Sequence, residues 1–194
     1  VTGLAGPFGL CRRAAGKDIA IIKSALLKVL SALGYELRWR DRRGTLSGLL
    51  ERTRDLGVIP ETVIDVGAAH GDFTGTSATV FPDAAYHLIE PLEEYDPFLR
   101  DICAGLSKAT RHRVAAAETK ADIVLNVHPD LVGSSIFREA EGPDVDGVPR
   151  TVPATTLDEL ARDHKMASPF LIKADAQGAE LRVLEGAREI LPVT

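Results

Sequence analysis

Residues 63–73 read VIDVGAAHGDF. This is a short apolar run, a carboxylate at Asp65, glycines at 67 and 71, and then the start of a helical pattern. Strands buried inside parallel sheets read as unbroken apolar runs of this kind. A glycine-bearing turn from such a strand into a helix offers unpaired backbone N–H groups to a ligand. Outward from that turn the rhythm repeats. TVIDVG (62–67), AYHLIE (85–90), RHRVAAA (111–117), ADIVLNV (121–127) and FLIKADA (170–176) are strand candidates bounded by turn residues. Helix candidates lie between them at 73–81, 94–106, 156–164 and 179–191. Thr156 and Glu159 have capping-box spacing. Leu181, Leu184, Ala187, Ile190 and Leu191 are expected on the inner face of the last helix. Strands alternating with helices predict an α/β domain with a parallel, doubly wound, Rossmann-like sheet. Residues 128–150, rich in glycine and proline, are expected to form a long binding loop or lid.

Upstream, residues 1–57 read as a lead-in and helical prefix, and 58–194 as the sheet domain. Ile19, Ile22, Leu26, Val29 and Leu33 form a helical stripe after a candidate N-cap at Asp18, ending at Gly34. Arg38, Arg40, Arg42 and Arg43 then surround Trp39. A solvated loop with a half-buried tryptophan is the plainer reading of that stretch, and a grip on an anionic group the sharper one. A second helix is expected over 45–56, with Leu46, Leu49, Leu50 and Leu56 inward and Gly57 as its stop.

Composition narrows the function classes. A net charge of −5 argues against a nucleic-acid grip, which usually needs a basic surface. The longest apolar stretch is interrupted by Lys23 and Lys28 and is too short to span a bilayer, so no membrane partner is expected. The two cysteines, Cys11 and Cys103, lack metal or redox spacing and point to a reducing, cytoplasmic setting. The five histidines (70, 87, 112, 128, 164) show no zinc spacing, so no metal site is expected.

The chemistry gathers at the strand ends. Glu90 closes the second strand in HLIEP, with Pro91 after it, about 20 residues beyond the glycine turn. That is the separation at which a carboxylate meets both hydroxyls of a ribose. A dinucleotide turn wants glycine at the middle position so that pyrophosphate can approach, but Ala69 stands there. A carboxylate before the turn also suits a cationic ligand better than a pyrophosphate. S-adenosylmethionine, carrying an ammonium and a sulfonium, therefore fits better than a nicotinamide cofactor. In FLIKADAQGAELRVLEGA (170–187) alternation places Lys173 and Asp175 on one face of a strand. A lysine and an aspartate in an apolar strand are costly unless paired or functional. A buried ion pair of Lys173 with Glu180 is the structural alternative.

VIDVGAAHGDFT, HLIEPLEEY, TTLDEL and LIKADAQGAELRVLEGA, in that order and over about residues 58–191, resemble the FkbM family of methyltransferases. The resemblance implies an S-adenosylmethionine-dependent O-methyltransferase acting on a hydroxyl of a small molecule, sugar or glycan. By motif, Asp65, Gly67, Ala68 and Gly71 would cradle the methionine half of the cofactor. Glu90 would hold the ribose, with Pro91 and Gln177 also at the cofactor. Asp175 is the first candidate base and His70 the second. Ser134 and Ser135 resemble a serine pair of the family's central loop. The chain departs from the family at Ala69, where asparagine is common, and at AAET (116–119), which puts an adenine contact in doubt. The fold implied has further strands after the one bearing Asp175, and this sequence ends before them. That predicts an exposed strand edge, with self-association through it or poor solubility. The competing reading is a non-catalytic cofactor-binding or interaction module of a larger protein.

Overall fold

The computed structural model describes residues 44–137 and 147–194. The helix expected over 18–33 and the arginine-rich stretch 38–43 lie outside the described residues, as does part of the expected central loop.

Four strands, β1 (Thr62–Val66), β2 (Ala85–Ile89), β3 (Ala109–His112) and, much later in the chain, Phe170–Ala174, form one sheet. With β4 (Ala115–Ala116), β5 (Ala121–Val127) and β6 (Val148–Thr155) between them, that late strand is β7. The order is β3-β2-β1-β7 and every pairing is parallel. Its two faces bury different clusters, as alternation requires. Val63, Tyr86 and Leu88 pack with Val80 and Phe81 at the end of α2 (Asp72–Val80) and with Leu99 of α3 (Asp96–Ala104). Ile64, Val66 and Ile89 pack with Leu157 and Leu160 of α4 (Leu157–Asp163) and with Val183 of α5 (Glu180–Glu185). Helices therefore cover both faces, and the sheet is doubly wound. Ile64, Leu88 and Ile89 have no exposed surface. Full burial of such a side chain contributes about 1.5–3 kcal/mol. β7 stands at the end of the strand order and pairs, among the described residues, with β1 alone.

The second sheet, ordered β4-β6-β5, was not expected in this form. β5 and β6 run antiparallel from Ala121↔Ala154 to Val127↔Val148, so the loop expected over 128–150 ends early. Pro149 and Pro153 mask β6, because proline inside a run usually argues against a strand. Both share the parity of Thr155, whose carbonyl faces away from β5 and accepts from Ala117 N–H. Their missing N–H groups thus fall on the side that β5 does not use. The run expected as one strand over 111–117 also divides. β3 closes the first sheet, and after two residues β4 joins the second.

The shorter helices depart in detail. α1 (Leu46–Asp55), capped by Thr45 Oγ1 accepting from Gly48 N–H at 3.2 Å, buries Leu50. Leu46, Leu49 and Leu56 are exposed rather than inward. α5 turns Val183 inward, with Ala187 and Ile190 after it, while Leu181 is exposed. At α4, Thr156 Oγ1 accepts from Glu159 N–H at 3.0 Å as the capping box requires. The Glu159 carboxylate instead accepts from Thr155 Oγ1. No helix among the described residues is long and apolar enough to cross a membrane.

Candidate functional site

At the carboxyl ends of β1, β2 and β7 the chain encloses a cavity of about 430 Å³. Ligands of open α/β sheets bind at this edge, where strand order reverses about the first strand. Gly67, Glu90, Pro91, Asp175 and Gln177, all singled out in the sequence, line it. Asp65, Ala68, His70 and Gly71 do not line it.

Local geometry explains the division. Gly67 takes φ +68°, in the left-handed region that favours glycine, and a Cβ there would fall on the Asp175 carbonyl oxygen. The first and third motifs therefore touch backbone to backbone at this glycine. Gly71, with φ +81°, precedes α2 and faces Ile102 of α3 rather than the cavity. Ala68 is buried in the core. His70 is exposed, its ring edge-on to Tyr95 at 4.9 Å and to Phe98 at 4.6 Å between centroids.

Glu90 is only 7% exposed. Its Oε2 accepts from Ala69 N–H at 3.0 Å and its Oε1 from Leu92 N–H at 3.1 Å. Burial raises its pKa above the usual carboxylate range, opposed by those two N–H groups and by the Lys173 charge. Each oxygen keeps acceptor capacity beyond its one backbone partner, at the wall of the cavity.

Asp65 is 1% exposed and does not stand free for a ligand. Thr74 Oγ1 of α2 donates to its Oδ2 at 2.8 Å. Its Oδ1 lies 3.2 Å from Lys173 Nζ, a charge contact without hydrogen-bond geometry. The structural pairing weighed for Lys173 was Glu180, but β1–β7 register sets Asp65 opposite Lys173. Glu180 instead accepts from Ala176 N–H at 2.9 Å and Gly178 N–H at 3.2 Å, closing the turn after β7. Its pKa is lowered by its own backbone N–H and by those two.

The opposite wall was not foreseen. Ile123, Val124 and Leu125 of β5 and Leu131, Ile136 and Phe137 of the following loop supply an apolar surface. Ser135 Oγ donates to Gln177 O at 2.7 Å, tying that loop to the third motif. Ser134 Oγ accepts from His128 N–H at 3.1 Å. Both hydroxyls thus bond to neighbouring backbone, and Ser134 also lines the cavity. Glu118, within AAET, lines the cavity and pairs with Arg182 at 3.4 Å, whose guanidinium lies 5.4 Å from the Phe137 ring centroid. The alternation of IVL in β5 with the apolar residues of LVGSSIF was the available signal for this wall. No group of three or more metal-ligating side chains suited to an ion occurs among the described residues.

The family model of the methyltransferase FkbM domain matches residues 65–193, about two thirds of the chain. Neither a curated protein nor a solved structure gives a significant match.

Proposed function

The chain belongs to the FkbM methyltransferase family, and from that premise we propose that it transfers a methyl group from S-adenosylmethionine to a hydroxyl oxygen of a small molecule, sugar or glycan. One observation carries the reading: a single cavity gathers the Gly67 turn, the Glu90 carboxylate and Asp175 at the ligand-binding edge of the sheet.

The residues fit that cofactor. The Gly67 turn has no side chain to block close approach, and Glu90 offers acceptor capacity for ribose hydroxyls. Pro91, Leu92 and the β5 wall supply apolar faces for a flat base. Glu118 supplies an acceptor near the place where the family's usual turn is missing. When bound, S-adenosylmethionine supplies a methyl group activated by an adjacent sulfonium. Asp175, exposed at the cavity, is the group that takes the proton from the acceptor hydroxyl as it becomes a nucleophile. The Asp175 N–H, donating to Val66 O at 3.2 Å, fixes its strand end against β1. Holding both reactants in line is the larger contribution expected of the protein. His70, outside the cavity lining, is the weaker candidate base. A cytoplasmic setting agrees with Cys103, a free half-buried thiol whose pKa burial raises.

Calorimetry tests this reading. S-adenosylhomocysteine should bind saturably and NAD should not. Glu90→Ala should weaken binding by about 1–3 kcal/mol, the worth of charge-assisted hydrogen bonds. Asp175→Asn should leave that affinity within about twofold, well under 1 kcal/mol, while abolishing most turnover. Saturable NAD binding with no S-adenosylhomocysteine binding would overturn the assignment.

A further inference from the structure

Lys173 has no role in the mechanism above, yet it sits at the junction of the two motifs that build the site. Its Nζ donates to Gly67 O at 2.6 Å and to Val66 O at 3.1 Å, two consecutive carbonyls of the cofactor turn. The same atom lies 3.2 Å from Asp65 Oδ1 and 3.9 Å from Asp175 Oδ2. Its side chain is 22% exposed and that of Asp65 1%. A cation in this position would repel the ammonium of an amino-acid tail if it were uncompensated. Asp65 compensates it from the buried side, and Thr74 holds Asp65 in place.

We propose that Lys173 is a positioning residue that sets the Gly67 turn for the amino-acid end of the cofactor, and that Asp65 serves as its counter-charge rather than as a direct ligand of the cofactor. The inference rests on the cofactor reading above. The two consecutive carbonyls meet one donor at a left-handed Gly67, with φ +68°. Lys173 therefore selects the one conformation of the turn that keeps the strand-end backbone open toward the cavity. The adenosine end depends on a different set of anchors, namely Glu90 with the Ala69 and Leu92 N–H groups. The two ends of one ligand thus report on separate parts of the site.

The test compares two ligands on each variant. S-adenosylhomocysteine carries the amino-acid tail, and 5′-methylthioadenosine lacks it. In Lys173→Met, S-adenosylhomocysteine affinity should fall by about ten- to a hundredfold, as for loss of hydrogen bonds to a charged group. Methylthioadenosine affinity should stay within about twofold. Lys173→Arg, which keeps the charge and the donors, should recover part of the loss. An equal fall for both ligands, or an unchanged ratio between them, would overturn the proposal, because a purely structural lysine would not distinguish the two ends. Where Lys173→Met does not fold, Asp65→Asn takes the same pair of titrations, since it leaves the ammonium and removes its counter-charge. Selective loss of S-adenosylhomocysteine there supports the assignment, and equal loss removes it. Wild-type protein that binds neither ligand would overturn the cofactor reading and this inference together.

Discussion

The two sheets contribute to the cavity in opposite ways. From the parallel sheet come groups that are each held twice. Both Glu90 oxygens accept a backbone N–H and Gly67 is pressed against Asp175, while behind the cavity lining Asp65 is set between Thr74 and Lys173. From the antiparallel β5–β6 pair and its loop come apolar side chains with few fixed partners, some of them open to solvent. Val124 is 54% exposed and Phe137 44%. Groups that bear charge near a reacting centre must be preorganised to be useful. A wall that only excludes water and shapes the space need not be. In the proposed function the parallel sheet holds the chemical groups and the β5–β6 pair shapes the space, so acceptor selectivity is to be sought along β5 and residues 131–137.

The largest effect should separate the two regions through one kind of substitution. Gly67→Ala forces a Cβ onto the Asp175 carbonyl at φ +68°. It should destabilise the fold by about 2–4 kcal/mol, as clashes at left-handed glycines do. Gly133→Ala, in the loop beside β5, meets only the His128 ring at 3.3 Å and has no positive φ. It should change stability by less than about 0.5 kcal/mol, as at ordinary surface positions. Thermal melting of both variants decides. Equal losses would mean that the loop is as tightly determined as the turn.

A second effect belongs to the parallel sheet alone. His87 Nδ1 and His112 Nε2 are 2.9 Å apart, buried on the α4 side of β2 and β3, with the His164 ring over both. Burial and then the His164 charge lower His87 to about 4. Burial, then His87 and His164, lower His112 to about 4. The charges bearing on the pair are thus those of the three imidazoles themselves. The unfolded chain takes up these protons near 6.5 and the folded one near 4, so the unfolded state binds more protons between those values. The pair's contribution is therefore complete above about 6.5 and is lost as pH falls toward about 4. At about 1.4 kcal/mol per pH unit for each group, the coupled pair accounts for a loss on the order of a few kcal/mol. His112→Asn should flatten the melting temperature between pH 7 and 4. A slope equal to that of the wild type would place the acid sensitivity elsewhere. His112 O also accepts from Glu90 N–H at 3.0 Å, which ties this cluster's strand to the cavity wall.

The same contrast governs what could be read from the sequence. The strands of the parallel sheet are apolar runs closed by turn residues, and β1, β2 and β7 fall inside the stretches expected from them. Glu90 and the Gly67 turn are legible because strand ends and glycines mark them locally. The partner of Asp65 is not, since pairing with Lys173 depends on strand order and register across more than a hundred residues. β6 was hidden by Pro149 and Pro153, whose tolerance depends on which side of the strand has a neighbour. In α5 both Leu181 and Val183 are apolar, so periodicity alone could not choose the inward face. What local chemistry encodes was visible, and what only packing decides was not.

The smallest effect tests whether the shaping wall is really the looser region. Ser135 Oγ donates to Gln177 O at 2.7 Å and accepts from Phe137 N–H at 3.1 Å. The first of these bonds joins the two regions across the mouth of the cavity. Gln177 has φ +48°, an uncommon conformation for a residue other than glycine, and the bond to its carbonyl helps to hold it. Ser135 also pairs through its backbone with Asn126, N–H to O at 2.8 Å and 3.2 Å in the two directions. Ser135→Ala removes only the hydroxyl. Because Ser135 is only half-buried and its bond to Gln177 is open to solvent, its loss should cost no more than about 0.5–1.5 kcal/mol. Little of that should reach the melting temperature, because a loop that opens on its own does not report on global unfolding. Amide hydrogen exchange should instead quicken at 131–137 while β1 and β2 remain protected. If exchange in the loop is unchanged, the backbone pairing with Asn126 holds it, and the wall is fixed by its own sheet. If β1 quickens as well, the latch supports the rigid sheet, and the division between the two regions fails at this bond.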